Sequence, residues 1–176
     1  MPRSPVTTQA VEVRPSPING VGVFALVDFA AGDIITCEDD SFIVTADNPL
    51  PDGEQEYHCD WYADDRQVLL PVPERHFNHS CGFNSLVSFI DGIRHTVARR
   101  DIAAGEEITH FYPIDGFGDL VWQCNCGSER CLRNIPADFF RLPPQLQIEY
   151  LPYLSDLYRR VYKDKVDALM KEAGLA

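Results

Sequence analysis

Three cysteines crowd into eight positions near the end of this chain, where Cys124, Cys126 and Cys131 form a Cys-x-Cys-x4-Cys run. Three thiols so close together cannot all be dispersed through an apolar core. Closely spaced thiolates do supply several of the four soft ligands of tetrahedral zinc, at little loop-closure cost. The spacing therefore predicts one structural zinc ion, with its fourth ligand drawn from elsewhere. Cys81 is the first candidate, because it sits in the polar run Asn78-His79-Ser80-Cys81. His79 is the second, since imidazole also binds zinc. A cluster of free thiols is the competing reading, and Cys37 and Cys59 are core residues in either case. A metal joining Cys81 to residues 124–131 would clamp the tail onto the body of the domain. A site built partly from that tail would then need zinc for structure and not for chemistry.

In a reducing compartment cysteines are read as thiols or metal ligands before disulfides. Met1 to Gln9 holds no apolar signal core, and no apolar run reaches bilayer-spanning length. An intracellular protein is expected, cytoplasmic because no nuclear-localisation-like basic run is present, with the nucleus left open. The formal net charge of -12 argues against nucleic acid, whose binding needs lysine and arginine to displace phosphate counterions. It favours a basic protein partner, although the same charge also serves solubility.

Length and punctuation predict a mainly β domain. The 176 residues suit one compact unit, and 13 prolines with 11 glycines imply short strands and frequent turns. Residues 1–10 are expected to be flexible. Val21, Val23 and Ala25 alternate with Gly22, Phe24 and Leu26, as in a strand buried on both faces. Further strands are predicted at 34–37, 41–45, 58–62, 68–70, 85–90 and 95–98, with a loop over 47–56. Asp91-Gly92 is a hairpin turn signal. Asp28-Phe-Ala-Ala-Gly-Asp-Ile-Ile echoes Asp101-Ile-Ala-Ala-Gly-Glu-Glu-Ile, and one turn chemistry used twice explains it better than a repeat fold. After the break at Leu142-Pro143-Pro144, Pro152 can open a helix carrying Leu154, Leu157, Tyr158 and Val161 on one face. Lys163, Lys165 and Lys171 would then suit its C-terminal end.

Three other segments carry chemical groups: Asn19-Gly20-Val21-Gly22-Val23-Phe24, Asn78-His79-Ser80-Cys81, and Gly105-Glu106-Glu107-Ile108-Thr109-His110-Phe111-Tyr112. Each alone has an ordinary structural reading. Together with the cysteine tail, their order and spacing resemble the SET-domain protein-lysine methyltransferases. That family carries a Gly-x-Gly segment, an Asn-His-Ser-Cys motif, a Gly-Glu-Glu-Leu-Thr-x-x-Tyr motif and, in many members, a Cys-x-Cys-x4-Cys post-SET tail. The resemblance covers about two thirds of the chain, from Asn19 to Cys131.

The resemblance implies a SET fold: small antiparallel sheets, a pseudoknot, a β-clip-like arrangement and some α-structure in a C-terminal helix. It divides the chain into a SET domain at 11–116, a post-SET zinc-binding segment at 117–136 and a helical extension at 137–176. It implies S-adenosylmethionine (AdoMet) as methyl donor and the ε-amine of a protein lysine as acceptor. Gly20, Val21 and Gly22 would approach AdoMet through the main chain, which would explain their small side chains. Asn78 and His79 would hydrogen-bond its polar groups, partly through the main chain, and Trp122 would pack on the adenine; a core tryptophan covering the zinc knuckle is the equal alternative. Tyr112 would be catalytic and also border the cofactor. Cys81, Cys124, Cys126 and Cys131 would hold the zinc. The partner would be a lysine-bearing, basic protein, met by a monomer or weak homodimer without membrane or nucleic-acid contact.

The chain departs from the family pattern at three places. His110 stands where an aromatic residue two before the catalytic tyrosine is usual, which leaves the number of methyls transferred open. After the motif cysteine, Cys-x-Pro-Asn becomes Cys81-Gly82-Phe83-Asn84, so the proline is lost and Asn84 is kept. No second tyrosine occurs in Thr36-Cys37-Glu38-Asp39-Asp40, an acidic stretch that would either meet a basic substrate or simply be solvated. Two other functions stay open on the sequence: a SET-fold zinc-binding interaction module without turnover, and a purely structural zinc domain.

Overall fold

The computed structural model describes residues 10–37, 40–61 and 66–175. Glu38 and Asp39, within the acidic stretch, lie outside the described residues, as do positions 1–9. Ala10, placed in the flexible N-terminus by sequence, is buried, and its carbonyl accepts the Leu26 N–H at 2.8 Å.

Small sheets make up most of the molecule. The first has the order β1 (Val11–Pro15), β2 (Val21–Ala25), β10 (Glu107–His110), β7 (Asn78–His79). The second is β3 (Ile34–Cys37), β9 (Ile93–Ala98), β8 (Ser85–Ile90), and the third β4 (Ile43–Val44), β6 (Gln67–Leu69), β5 (Cys59–Trp61). A two-stranded ribbon joins β11 (Val121–Gln123) to β12 (Asn134–Pro136). The strands pair antiparallel except β7 and β10, which run parallel with Asn78 opposite Thr109 and His79 opposite His110. That exception positions the site, because it sets the polar Asn-His pair beside the strand that leads into Tyr112.

Within β2, residues Gly22 to Ala25 are buried, as expected of a strand covered on both faces, but it ends before Leu26, which is exposed. The β8–β9 hairpin turns on Asp91 and Gly92, both at positive φ (54° and 80°), matching the right-handed twist of the strands it joins.

The sequence echo has a spatial counterpart. Phe29 and Ile102 form an antiparallel bridge, each N–H donating to the other's carbonyl at 2.9 Å. Around it the two turns cap each other: Asp28 Oδ1 accepts from Ala104 N at 2.8 Å, and Asp101 Oδ1 from Ala31 N at 2.9 Å. Gly32 and Gly105 hold nearly the same positive φ, 88° and 87°. One turn chemistry is thus used twice, face to face.

Two apolar clusters divide the interior. Val23, Ala25, Phe29, Ile35, Phe77, Ile102 and Ile108 fill the β-rich half. The other cluster gathers Cys81 and Cys124 with Phe83, Phe111, Ile135, Phe139, Tyr150 and Tyr158. Each fully buried aromatic there contributes about 1.5–3 kcal/mol by leaving water. The cysteine tail is therefore packed between the sheets and the C-terminal helices.

Those helices differ from the single one expected. The chain forms α1 (Pro144–Tyr150), a 3₁₀ turn at Leu151–Tyr153 that contains Pro152, α2 (Asp156–Val161) and α3 (Lys163–Glu172). Leu154 is buried ahead of α2, Ser155 caps that helix by accepting the Tyr158 N–H, and Tyr158 is fully buried. Val161 is 41% exposed, because the axis breaks at Tyr162 and the buried face continues through Val166 and Leu169. Lys163 therefore starts a helix, against the dipole, and pairs with Asp167 one turn on. Lys165 lies over the rings of Phe140 and Tyr162. Lys171 alone of the three sits in a last turn. Among the described residues, no helix is long and apolar enough to cross a membrane.

Candidate functional site

The parallel β7–β10 pair brings together residues 30 and more positions apart. Asn78 is 7% exposed, and its Nδ2 donates to the main-chain carbonyls of Asn19 (3.2 Å) and Val21 (2.9 Å) and to Glu107 Oε1 (2.8 Å). Ser16 Oγ lies at 2.8 and 2.9 Å from the two Glu107 oxygens. A Cβ added to Gly22 would fall 2.1 Å from Glu107 Oε1 and 3.0 Å from Asn78 Nδ2. The small size of Gly22 is thus explained by this carboxylate and amide, and no ligand is needed to account for it. Gly20 holds φ +46° with open space where a side chain would stand.

His79 is 9% exposed and committed at both ring nitrogens. Nδ1 accepts the Tyr112 N–H at 3.2 Å, and Nε2 lies 3.5 Å from Cys81 Sγ. Burial lowers its pKa to about 4, so the ring is neutral. Both ring nitrogens are thus engaged within the protein, and the His79 main-chain N–H is directed to the Tyr112 hydroxyl.

Tyr112 follows β10 and opens a short 3₁₀ turn. The residue is 36% exposed as a whole, but its hydroxyl is buried and donates to the Phe77 carbonyl at 2.8 Å. Burial, aided by the Asp60 carboxylate, pushes the phenol well above its ordinary range. Trp122 stands edge-on to Tyr112 at 5.8 Å between ring centres and is 38% exposed. It is thus not a core tryptophan, although it lies two residues from Cys124.

His110 stacks on Phe77 at 4.7 Å, with Nε2 3.4 Å from Thr96 Oγ1. Burial of its ring lowers the pKa to about 3; the Arg94 guanidinium adds to this and the Asp60 carboxylate opposes it. Asp60 and Arg94 form an ion pair. Both border a recess open to solvent together with Val87, Phe89, Asp115 and Phe117.

The sulfurs of Cys81, Cys124, Cys126 and Cys131 lie within 4.8 Å of one another. Tetrahedral zinc with Zn–S of about 2.3 Å needs sulfurs about 3.8 Å apart, so a small contraction would complete a shell. Main-chain N–H groups already point at the sulfurs: Leu132 N lies 3.3 Å from Cys81 Sγ, and Cys81 N 3.4 Å from Cys126 Sγ. Burial pushes the thiols of Cys81 and Cys124 up, the latter to about 11. At Cys126 burial acts the same way, but it is outweighed by the N–H groups of Cys81 and Ser128 and the neighbouring thiols, and the pKa falls to about 7. The cluster contains Cys81 and not His79, which stands behind Cys81. Cys59 is part-buried, whereas Cys37, expected in the core, is exposed at the end of β3.

The family model for the SET domain matches residues 20–113, just over half of the chain. The chain belongs to the SET-domain family. That SET match runs from the Gly20 turn through Tyr112. The SET protein is 35% identical over 85 residues to the H3 lysine-36-specific histone-lysine N-methyltransferase of Candida albicans. The aligned part is 44% of this chain and 10% of that protein. It is 37% identical over 62 residues to the Mycosarcoma maydis protein of the same description, or 33% of this chain and 6% of that one. The chain thus spans about a tenth or less of these curated relatives. The methyltransferase domain of human histone-lysine N-methyltransferase SETMAR superposes with a TM-score of 0.54 over 73% of this chain and 58% of that one. At 18% identity, this likeness speaks for the fold.

Sequence reading missed Glu107, Ser16 and Phe77. Glu107 lay inside a quoted motif, yet nothing in a run of two glutamates says which one turns inward. Phe77 contributes a carbonyl, which no side-chain pattern reveals.

Proposed function

We propose that this SET protein transfers a methyl group from AdoMet to the ε-amine of a lysine in a basic protein substrate, with one structural zinc on Cys81, Cys124, Cys126 and Cys131. The observation that carries the reading is the meeting of the Asn78–Gly22 turn, Tyr112 and the four-thiol cluster through the paired strands β7 and β10. Residues 11–116 are assigned to the SET body, 117–136 to the metal-binding tail and 137–176 to the helical extension.

The donor fits the residues present. Asn78 holds the Asn19 and Val21 carbonyls, which leaves a preformed turn of exposed main chain at Gly20. The part-exposed rings of Tyr112 and Trp122, in contact with each other, offer apolar faces to an adenosyl group. Val21, also exposed, would line the same side. When bound, AdoMet supplies an electrophilic methyl on a sulfonium.

The protein's own task is positioning. Only about one lysine in 2,500 is neutral at pH 7, so the site must favour the free amine. Apolar surroundings disfavour the ammonium, and Val87, Phe89 and Phe117 would supply them in a recess where the Asp60 carboxylate is already paired with Arg94. The Tyr112 hydroxyl donates to the Phe77 carbonyl and receives the His79 main-chain N–H, so its remaining lone pair would accept from the amine. A phenol held well above its ordinary pKa stays protonated and orients the amine without acting as the base.

Incubation with methyl-labelled AdoMet and a panel of basic proteins tests this. Label on lysine supports the reading. Retained AdoMet binding with no label on any protein would favour an interaction module instead.

A further inference from the structure

We propose that His79 is a positioning residue that couples the metal centre to the tyrosine, holding the Cys81 sulfur with one ring nitrogen and the Tyr112 main chain with the other. The proposal rests on the reading that Cys81 ligates a metal and that Tyr112 orients the substrate amine.

The chain of contacts is short. Tyr112 N–H donates to His79 Nδ1 at 3.2 Å, so Nδ1 is the unprotonated nitrogen and Nε2 carries the hydrogen. That hydrogen is directed at Cys81 Sγ, 3.5 Å away. With the Leu132 N–H at 3.3 Å, the sulfur then has two donors outside the metal's own shell. Such donors orient a ligand and stabilise its charge. The ring cannot easily swing away, since it packs against Phe111 at 5.2 Å and Tyr112 at 5.3 Å.

Tyr112 is thereby held at two ends. Its hydroxyl is tied to Phe77 O, and its main chain to His79, which in turn leans on the metal-binding sulfur. Loss of the ion would loosen the Cys81 side chain and weaken its contact with Nε2, leaving ring packing alone to hold Nδ1 against the Tyr112 N–H. The metal would reach the chemistry through this one ring, beyond its general clamping of the tail.

The test begins with the intact wild-type chain loaded with NMR-active cadmium and carrying isotope-labelled histidine. His79 is expected as the Nε2–H tautomer, with a scalar coupling between cadmium and the Nε2 hydrogen. Cadmium binding with the hydrogen on Nδ1 overturns the proposal while leaving the metal reading intact. A chain that takes up no cadmium or zinc overturns the metal reading, and this coupling with it.

Two variants divide the roles. His79→Asn keeps an acceptor near Tyr112 N but cannot reach Cys81, and is expected to lose zinc to a chelator about tenfold faster or more. His79→Gln keeps an amide donor toward Cys81 and loses the Nδ1 acceptor. It should hold zinc at the wild-type rate while kcat falls about tenfold or more with KM little changed. Equal zinc release in wild type and both variants overturns the proposal, and so does full kcat in His79→Gln.

Discussion

Glu107 and Asn78 share a hydrogen bond of 2.8 Å, and the carboxylate occupies the space that any side chain on Gly22 would need. Three motifs far apart in sequence are joined at this one point: the glycine turn, the Asn-His pair and the strand leading to Tyr112. The same contact accounts for the small side chain at Gly22 and fixes the turn at Gly20.

Gly22→Ala is expected to push Glu107 off Asn78 and Ser16 and cost about 1–3 kcal/mol, the range for overpacking a close-packed site. Because the two residues compete for one space, adding Glu107→Ala should recover part of that loss. Thermal unfolding of the two single variants and the double variant checks this, and strictly additive losses would contradict it.

The four-thiol cluster makes a countable prediction. Of six cysteines, four lie in the cluster, leaving Cys37 and Cys59. In the zinc-loaded protein a thiol reagent should react readily with exposed Cys37 and slowly with part-buried Cys59, whose thiol is pushed up by burial; the other four should react after chelation. Chelation should also lower the melting temperature, because the tail is packed against Tyr150, Phe139 and Tyr158. Six readily reacting thiols before chelation would contradict a metal centre.

His110 sets a pH dependence. Its ordinary pKa is 6.5 and burial brings it to about 3, so between those values the unfolded chain holds a proton that the folded chain does not. Its stabilising contribution is complete above about pH 6.5 and is lost as pH falls, by about 1 kcal/mol between pH 7 and pH 5.5. His110→Phe should flatten that part of the stability profile. An unchanged slope by denaturant titration would contradict a buried neutral ring.

The paired turns are expected to behave as a unit. Asp28→Ala and Asp101→Ala should each cost about 1 kcal/mol, as the loss of a cap does. Their costs should not add, since both caps flank the Phe29–Ile102 bridge. A double-mutant cycle measured by thermal unfolding decides between coupling and independence.

Much of this site was legible from residue types. The close spacing of Cys124, Cys126 and Cys131 and the polar setting of Cys81 marked the four thiols that the fold brings together. The 85–90 strand and the Asp91-Gly92 turn could be read because alternation and positive-φ residues are local signals. The helical extension was harder, since the break at Tyr162 comes from packing and not from a proline or glycine, and it turned Val161 outward. The role of Gly22 was illegible for a related reason: its neighbour Glu107 is 85 positions away. Both ring nitrogens of His79 are used internally, which no motif could state.

In the proposed reaction a protonated Tyr112 phenol, anchored on Phe77 O, orients a lysine amine for methyl transfer. Mass spectrometry of a basic protein substrate after reaction with AdoMet, wild type beside Tyr112→Phe, tests it most directly. Methyl-lysine formed by the wild type and reduced at least about a hundredfold in the variant, at unchanged AdoMet affinity, is the expected result. Equal methylation by both proteins, or none by the wild type with AdoMet bound, would contradict it.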